Sequence, residues 1–145
     1  KMHLTTLRLF GIYILSTIII SCGTTGHLKF YNYNDTKQNV EKNLLKTIAD
    51  NNYTAPKNWN NYEQGSDTLR DIYILFNSTP KEIYQLGFKG DSAEWRTNKT
   101  SCTLALVGVF DGQLWHFAKD LNSEEIKRIE TRLENEILNK MEIKR

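Results

Sequence analysis

SCTLALVGVFDGQLWHF, residues Ser101–Phe117, carries the reading on which the fold turns. Ser101–Phe110 is the most apolar strand in the chain, and Asp111-Gly112 follows it directly. That dipeptide suits a two-residue type I′ hairpin turn, which needs positive φ at both central positions. Such a turn places Phe110 opposite Gln113, Val109 opposite Leu114, Gly108 opposite Trp115 and Leu106 opposite Phe117. One sheet face then carries Leu104, Leu106, Trp115 and Phe117, with Gly108 making room for the indole. The other face carries Ala105, Val107, Val109, Leu114 and His116. A one-residue slip would exchange the two sets, because side chains alternate along a strand.

Two more strands precede this hairpin. Ile72, Ile74 and Phe76 alternate within Leu69–Asn77, and Tyr84, Leu86 and Phe88 alternate within Glu82–Lys89. Ser78-Thr79-Pro80 supplies the turn between them, and Gly90–Lys99 reads as a polar connection. After the hairpin, Asn122 or Ser123 caps a helix from about Glu124 to Glu142, with Asn122 and Glu125 at capping-box spacing. Ile126, Ile129, Leu133, Ile137 and Met141 form its apolar stripe, and about 28 Å of helix is enough to cross a four-stranded sheet. An earlier helix spans about Thr36–Asp50, with Asp35 and Gln38 at capping spacing and Val40, Leu44, Leu45 and Ile48 on one face. Asn51-Asn52 supply its stop, and residues 51–68 read as a polar loop.

The order helix, four strands, helix predicts an α+β fold. Its economical form is a two-layer sandwich over residues 35–145: a four-stranded antiparallel meander with both helices on one face.

The amino terminus has a different character. Lys1 and Arg8 precede or border the apolar run LFGIYILSTIII, Leu9–Ile20, which is too short to span a bilayer comfortably. A basic start and a short apolar core are the pattern of a secretory signal peptide. Ile19-Ile20-Ser21-Cys22 ends the run and resembles the lipobox of bacterial lipoproteins; the chain looks like small Bacteroidota-type envelope lipoproteins. That resemblance implies a signal peptide over 1–21, cleavage before Cys22, a diacylglycerol on the Cys22 sulfur and usually an acylated amine. Residues 22–34 then form the lipidated cysteine and its tether. Gly23 stands where an aspartate would signal inner-membrane retention, and no acidic export cluster lies between Gly23 and Lys29. An outer-membrane anchor facing the periplasm is therefore expected. An ordinary signal peptide, or an uncleaved anchor with an incidental cysteine, is the alternative.

A length of 145 residues bounds the chain to one domain. A mean hydropathy of -0.53 excludes a multi-span membrane protein. Two cysteines are too few for a disulfide scaffold or a structural zinc site. The net charge of +2 comes from Lys1 and Arg8, so the processed chain is formally neutral and offers no argument for nucleic acid.

Candidate chemistry is sparse. His116 reads as a strand residue and Cys102 as a buried thiol; no spacing of His, Cys, Asp and Glu suits a metal, and no cofactor is implied. Asp67, Asp71, Asp91 and Glu94 lie near strand ends, where a hydrolytic carboxylate pair would have to converge. Trp59 and Tyr62, within YTAPKNWNNY, either close over the sheet or offer rings and amides to a sugar or peptide. Thr68 and Ser92 follow aspartates in triplets resembling the short O-glycosylation motif of Bacteroidota periplasmic proteins. Val107, Val109 and Leu114 make the second sheet face more apolar than water requires, so either Leu28–Tyr33 covers it or a partner does. The expected function is that of a lipid-anchored, non-catalytic accessory module meeting an envelope protein through Trp59, Tyr62, Val107, Val109, Leu114 or His116. An immunity factor or inhibitor of a toxin or hydrolase is the alternative, and a small glycan- or cell-wall-acting hydrolase is a third.

Overall fold

The computed structural model describes residues 26–59, 71–143 and 145. In chain order these form β1 (Lys29–Tyr33), α1 (Lys37–Asp50), β2 (Asp71–Phe76), β3 (Glu82–Phe88), α2 (Ser92–Thr97), β4 (Cys102–Phe110), β5 (Trp115–His116) and α3 (Ser123–Glu136). The antiparallel sheet runs β1-β4-β3-β2, with β5 also paired to β4. Since β3 occupies one edge of β4, β1 and β5 share the other edge end to end: β1 along Cys102–Leu106 and β5 at Val109–Phe110.

Both long helices bury their apolar stripes on one sheet face, as an α+β sandwich requires. Val40, Leu44 and Ile48 of α1 and Ile129 and Leu133 of α3 meet Ile74, Phe76, Tyr84, Leu86, Leu104 and Leu106 in one core. The alternations expected of β2 and β3 hold: Ile72, Ile74, Phe76, Tyr84, Leu86 and Phe88 are all buried.

β4 departs from simple alternation. Gln85 pairs with Gly108 but its neighbour Leu86 pairs with Leu106, so Val107 is an extra residue in a β-bulge. The bulge reverses the phase of the strand. Leu104 and Leu106 face the helices, and beyond the bulge so does Val109, which is 2 % exposed. Val109 is thus a core residue and not part of the second face. Gly108 and Phe110 are carried instead to the side away from the helices.

The hairpin register also differs from expectation. Phe110 pairs with Trp115 and Val109 with His116, leaving a four-residue loop, Asp111–Leu114. Gly112 has a positive φ of 101° but Asp111 does not, so a type I′ turn is not formed. The reason lies in the Asp111 carboxylate, whose Oδ1 accepts from the amides of Gln113 at 2.7 Å and Leu114 at 2.8 Å. A side chain that satisfies two amides stabilises the wider loop. Trp115 and Phe117 consequently lie on the second face, apart from Leu104 and Leu106, while His116 faces the helix side opposite Val109. Gly108 makes room for Phe117 and not for the indole: a Cβ there would stand 2.9 Å from the Phe117 ring.

Other elements refine the sequence reading. Lys29–Tyr33, assigned to the tether, is an edge strand, so it lengthens the sheet and does not cover it. Tyr31 and Tyr33 point into the core, and Lys29 reaches Glu130 on α3 at 2.9 Å. The cap of α1 is Thr36, accepting from the Asn39 amide at 3.2 Å, while Asp35 accepts from the Thr36 amide. Gly90–Lys99 contains α2, capped by Asp91 and burying Trp95. The terminal helix ends at Glu136; a 3-10 turn, Leu138–Lys140, then buries Leu138 and Met141 beside Ile137.

The buried face of α3 is locked to the β2–β3 turn by ions. Arg132 uses all five of its N–H donors: on Glu136, Glu82, the Pro80 and Ser78 carbonyls and the Ser78 hydroxyl. Arg128 grips the same Glu82 through two bonds, at 2.7 and 3.0 Å. Removing one partner from a buried pair typically costs about 3–5 kcal/mol, because the other charge stays desolvated. Glu82→Gln leaves both Arg128 and the buried Arg132 without their shared carboxylate and should lower stability by a loss of that order, whereas Arg132→Met, which leaves Glu82 its Arg128 bonds, should cost less. A larger loss for Arg132→Met than for Glu82→Gln in denaturation would contradict the shared pairing.

Candidate functional site

The loop before β2 and the second sheet face meet at Trp59. This residue ends a short 3-10 turn, Lys57–Trp59, whose Trp59 amide donates to the Pro56 carbonyl at 2.9 Å. Its indole lies 5.8 Å from the Tyr73 ring, 5.1 Å from Phe110 and 5.7 Å from Trp115. Trp115 continues the cluster to Phe110 at 5.6 Å, Tyr73 at 6.1 Å and Phe117 at 6.4 Å. These tilted, offset and edge geometries are the favourable ones for aromatic rings, each worth about 0.5–1.5 kcal/mol beyond area burial. All five rings remain partly open to water. Leu114, at the rim of the hairpin loop, is 66 % exposed.

Tyr73 gives this surface a polar edge. Burial, with the Asp71 carboxylate that its hydroxyl bonds, pushes its phenol pKa up. The surface is thus aromatic in its centre and polar at Tyr73, with exposed Leu114 in the adjoining loop. Such a composition suits peptide, protein or sugar-face contact.

Of the anticipated surface residues, Trp59 and Val107 lie on this face, Val107 near Gly87, while Leu114 is exposed in the adjoining hairpin loop. His116 stands on the other side of the sheet and Val109 in the core. Tyr62, Thr68 and Cys22 lie outside the described residues. Ser92 is half-buried in the first turn of α2, where the Asp91 carboxylate accepts from the Ala93 and Glu94 amides at 2.9 Å. Phe110, Trp115 and Phe117 were not anticipated as site residues. A glycine inside an apolar strand was the available signal, since it often marks a bulge.

His116 does share a hollow of about 210 Å³ with several carboxylates: Glu82, Asp111, Asp120 and Glu125. Each has structural work. Asp120 accepts from the Phe117 amide at 2.9 Å, Glu125 from the Asn122 amide at 3.2 Å, and Glu82 is held by the two arginines. Asp111 takes His116 Nε2 at 2.8 Å on the oxygen not used by the loop amides. The arrangement builds caps and ion pairs. Cys102 is half-buried, and burial pushes its thiol up to about 11, which suppresses the thiolate needed for nucleophilic work. Among the described residues no group of His, Cys, Asp and Glu is placed to hold a metal ion, and no helix is long and apolar enough to cross a membrane.

No protein-family model, curated protein or solved structure matches this chain.

Two predictions follow from this geometry. The added Cβ in Gly108→Ala meets the Phe117 ring and, at 3.0 Å, the His116 carbonyl oxygen. Overpacking of this kind costs about 1–3 kcal/mol, and Phe117→Leu should return part of it in a denaturation cycle. An unaltered midpoint for Gly108→Ala alone would contradict the packing. The Asp111 carboxyl is held at about 2 by the Leu114 amide, His116 and the Gln113 amide. Because its folded pKa lies below the unfolded value near about 4, its support of the loop is complete above that value. That support is lost as pH falls through about 2. The Gln113 and Leu114 amide resonances should titrate with a midpoint near 2, and not at all in Asp111→Asn; a midpoint near 4 would refute the bonding.

Proposed function

We propose that this chain is a lipid-anchored, non-catalytic binding module of the cell envelope. Acyl chains on Cys22 hold it in the membrane, with the outer membrane, facing the periplasm, as the expected site. One acyl chain alone gives only reversible membrane binding, whereas two or more anchor a small protein stably. The module meets an envelope protein through the Trp59 end of the second sheet face. The observation that supports this reading is the convergence of the Trp59 loop with Tyr73, Phe110 and Trp115 into one partly open aromatic surface, with exposed Leu114 preceding Trp115 in the chain. Aromatic anchors ringed by contacts that exclude water are where protein interfaces concentrate their binding energy.

Metabolic labelling with a clickable fatty acid should mark the wild-type chain and leave Cys22→Ser unmarked; label on the mutant would overturn the anchor. Leu114→Asp alters an exposed position, so the domain should keep its unfolding midpoint. It should nevertheless reduce recovery of the cross-linked envelope partner several-fold from intact membranes. Equal recovery by wild type and Leu114→Asp would argue against this surface.

A further inference from the structure

The geometry points to a second contact surface at the opposite end of the same sheet face: a corner built from His27, Phe30 and Lys89 that rests on anionic phospholipid headgroups. It rests on the reading of Cys22 as the lipidated residue.

The described chain begins at Gly26, four residues after Cys22. At full extension those residues span at most about 14 Å. The surface around Gly26 and His27 is therefore held within that distance of the membrane. Gly26 lies against Ala118, with 3.7 Å between an ideal Cβ there and the Ala118 Cβ. The His27 ring stands 5.0 Å from the ring of Phe30. Phe30 is 48 % exposed, one of two large hydrophobic side chains so open among the described residues. An exposed ring is costly in water but suits the boundary between headgroups and acyl chains.

Charge points the same way. Lys89 places its ammonium 5.8 Å from the Phe30 ring centroid, and among the described residues it makes no ion pair. Lys29, by contrast, turns to the helix side and is paired with Glu130 and Glu134. An aromatic ring with an adjacent ammonium matches the two layers of a lipid interface, apolar below and phosphate above. A basic side chain close to an anionic membrane contributes on the order of 1 kcal/mol, and the covalent anchor keeps this contact from dissociating.

The corner is also distinct from the aromatic cluster. Phe30 pairs with Ala105 in β4, whereas Trp115 pairs with Phe110. At about 3.4 Å per residue, those positions are at most roughly 17 Å apart along the strand. The two contacts therefore fall at different positions along β4.

The test uses the full lipidated chain carrying Cys102→Ala, reconstituted in vesicles of phosphatidylethanolamine and phosphatidylglycerol. A fluorophore is placed at Asn32→Cys, beside Phe30 on the same face, or at Thr131→Cys on the exposed side of α3. Quenching by headgroup-labelled lipid should be several-fold stronger at position 32 than at 131. Adding Phe30→Ser with Lys89→Glu should abolish that difference while the protein still floats with the vesicles. Equal quenching at the two positions in vesicle-bound protein, or a difference that survives the double substitution, overturns the corner and leaves the anchor standing. Failure of the wild-type chain to float overturns the anchor and the corner together.

Discussion

A single inserted residue, Val107, sets which side chains of β4 reach the core and which reach the opposite face. In an unbroken strand, Phe110 would share the helix side with Leu104 and Leu106, and Val109 would point away. The bulge reverses that phase: Val109 joins Ile129 and Leu133 in the core, and Phe110 joins Trp59 and Trp115 on the second face. It falls where β1 has ended and β5 has not begun, so the disrupted ladder lies at a gap along the edge. Gly108 completes the device, since its bare Cα lets the Phe117 ring lie against the backbone. The aromatic cluster depends on this change of phase.

The helix layer is oriented by charge as well as by apolar contact. Glu82 is buried at the start of β3 and meets two guanidinium groups from α3, one of which also holds the β2–β3 turn. At the other end of the sandwich, Lys37 pairs with Glu41 at 2.6 Å and lies over the Trp95 and Phe88 rings. Buried pairs contribute little net stability compared with well-packed apolar groups, because desolvation offsets their attraction. The Glu82 pairs join two elements and tolerate few alternative placements of α3, whereas Lys37 and Glu41 pair within α1. We read the Glu82 pairs as setting the orientation of α3, with the apolar stripes supplying most of the association energy.

Much of the fold was legible locally. The α3 cap was readable from Asn122 and Glu125, whose side chains satisfy each other's backbone amides, and Val40, Leu44 and Ile48 were readable from their spacing. The stop after α1 was readable too, since Asn52 takes a left-handed φ of 59°. β1 was missed because five residues without a long apolar run look like tether until a partner strand is known. α2 was missed because six residues show no helical period, although Asp91 and Glu94 stand at capping spacing. The placement of the candidate surface was half legible: Trp59 and Val107 do lie on the second face, but Val109 is in the core, His116 faces the helices, and the meeting of Trp59 with Phe110, Trp115 and Phe117 was not foreseen.

Taken alone, the sequence determined the features that depend on neighbours in the chain: two amphipathic helices, the alternating strands and hence the α+β class. The lipobox-like Cys22 is likewise a matter of sequence, and the anchor reading rests there. The tertiary structure decided the pairing of β1 with β4, the bulge at Val107, the hairpin register and the seat of Trp59. The physical reason is the range of the forces involved. Helical and strand periods are set within a few residues by backbone geometry, whereas register and face are chosen by which distant side chains can be buried together. Asp111 shows the two scales competing: its dipeptide with Gly112 favours a tight turn, but the carboxylate caps two amides, and the wider loop brings Trp115 opposite Phe110.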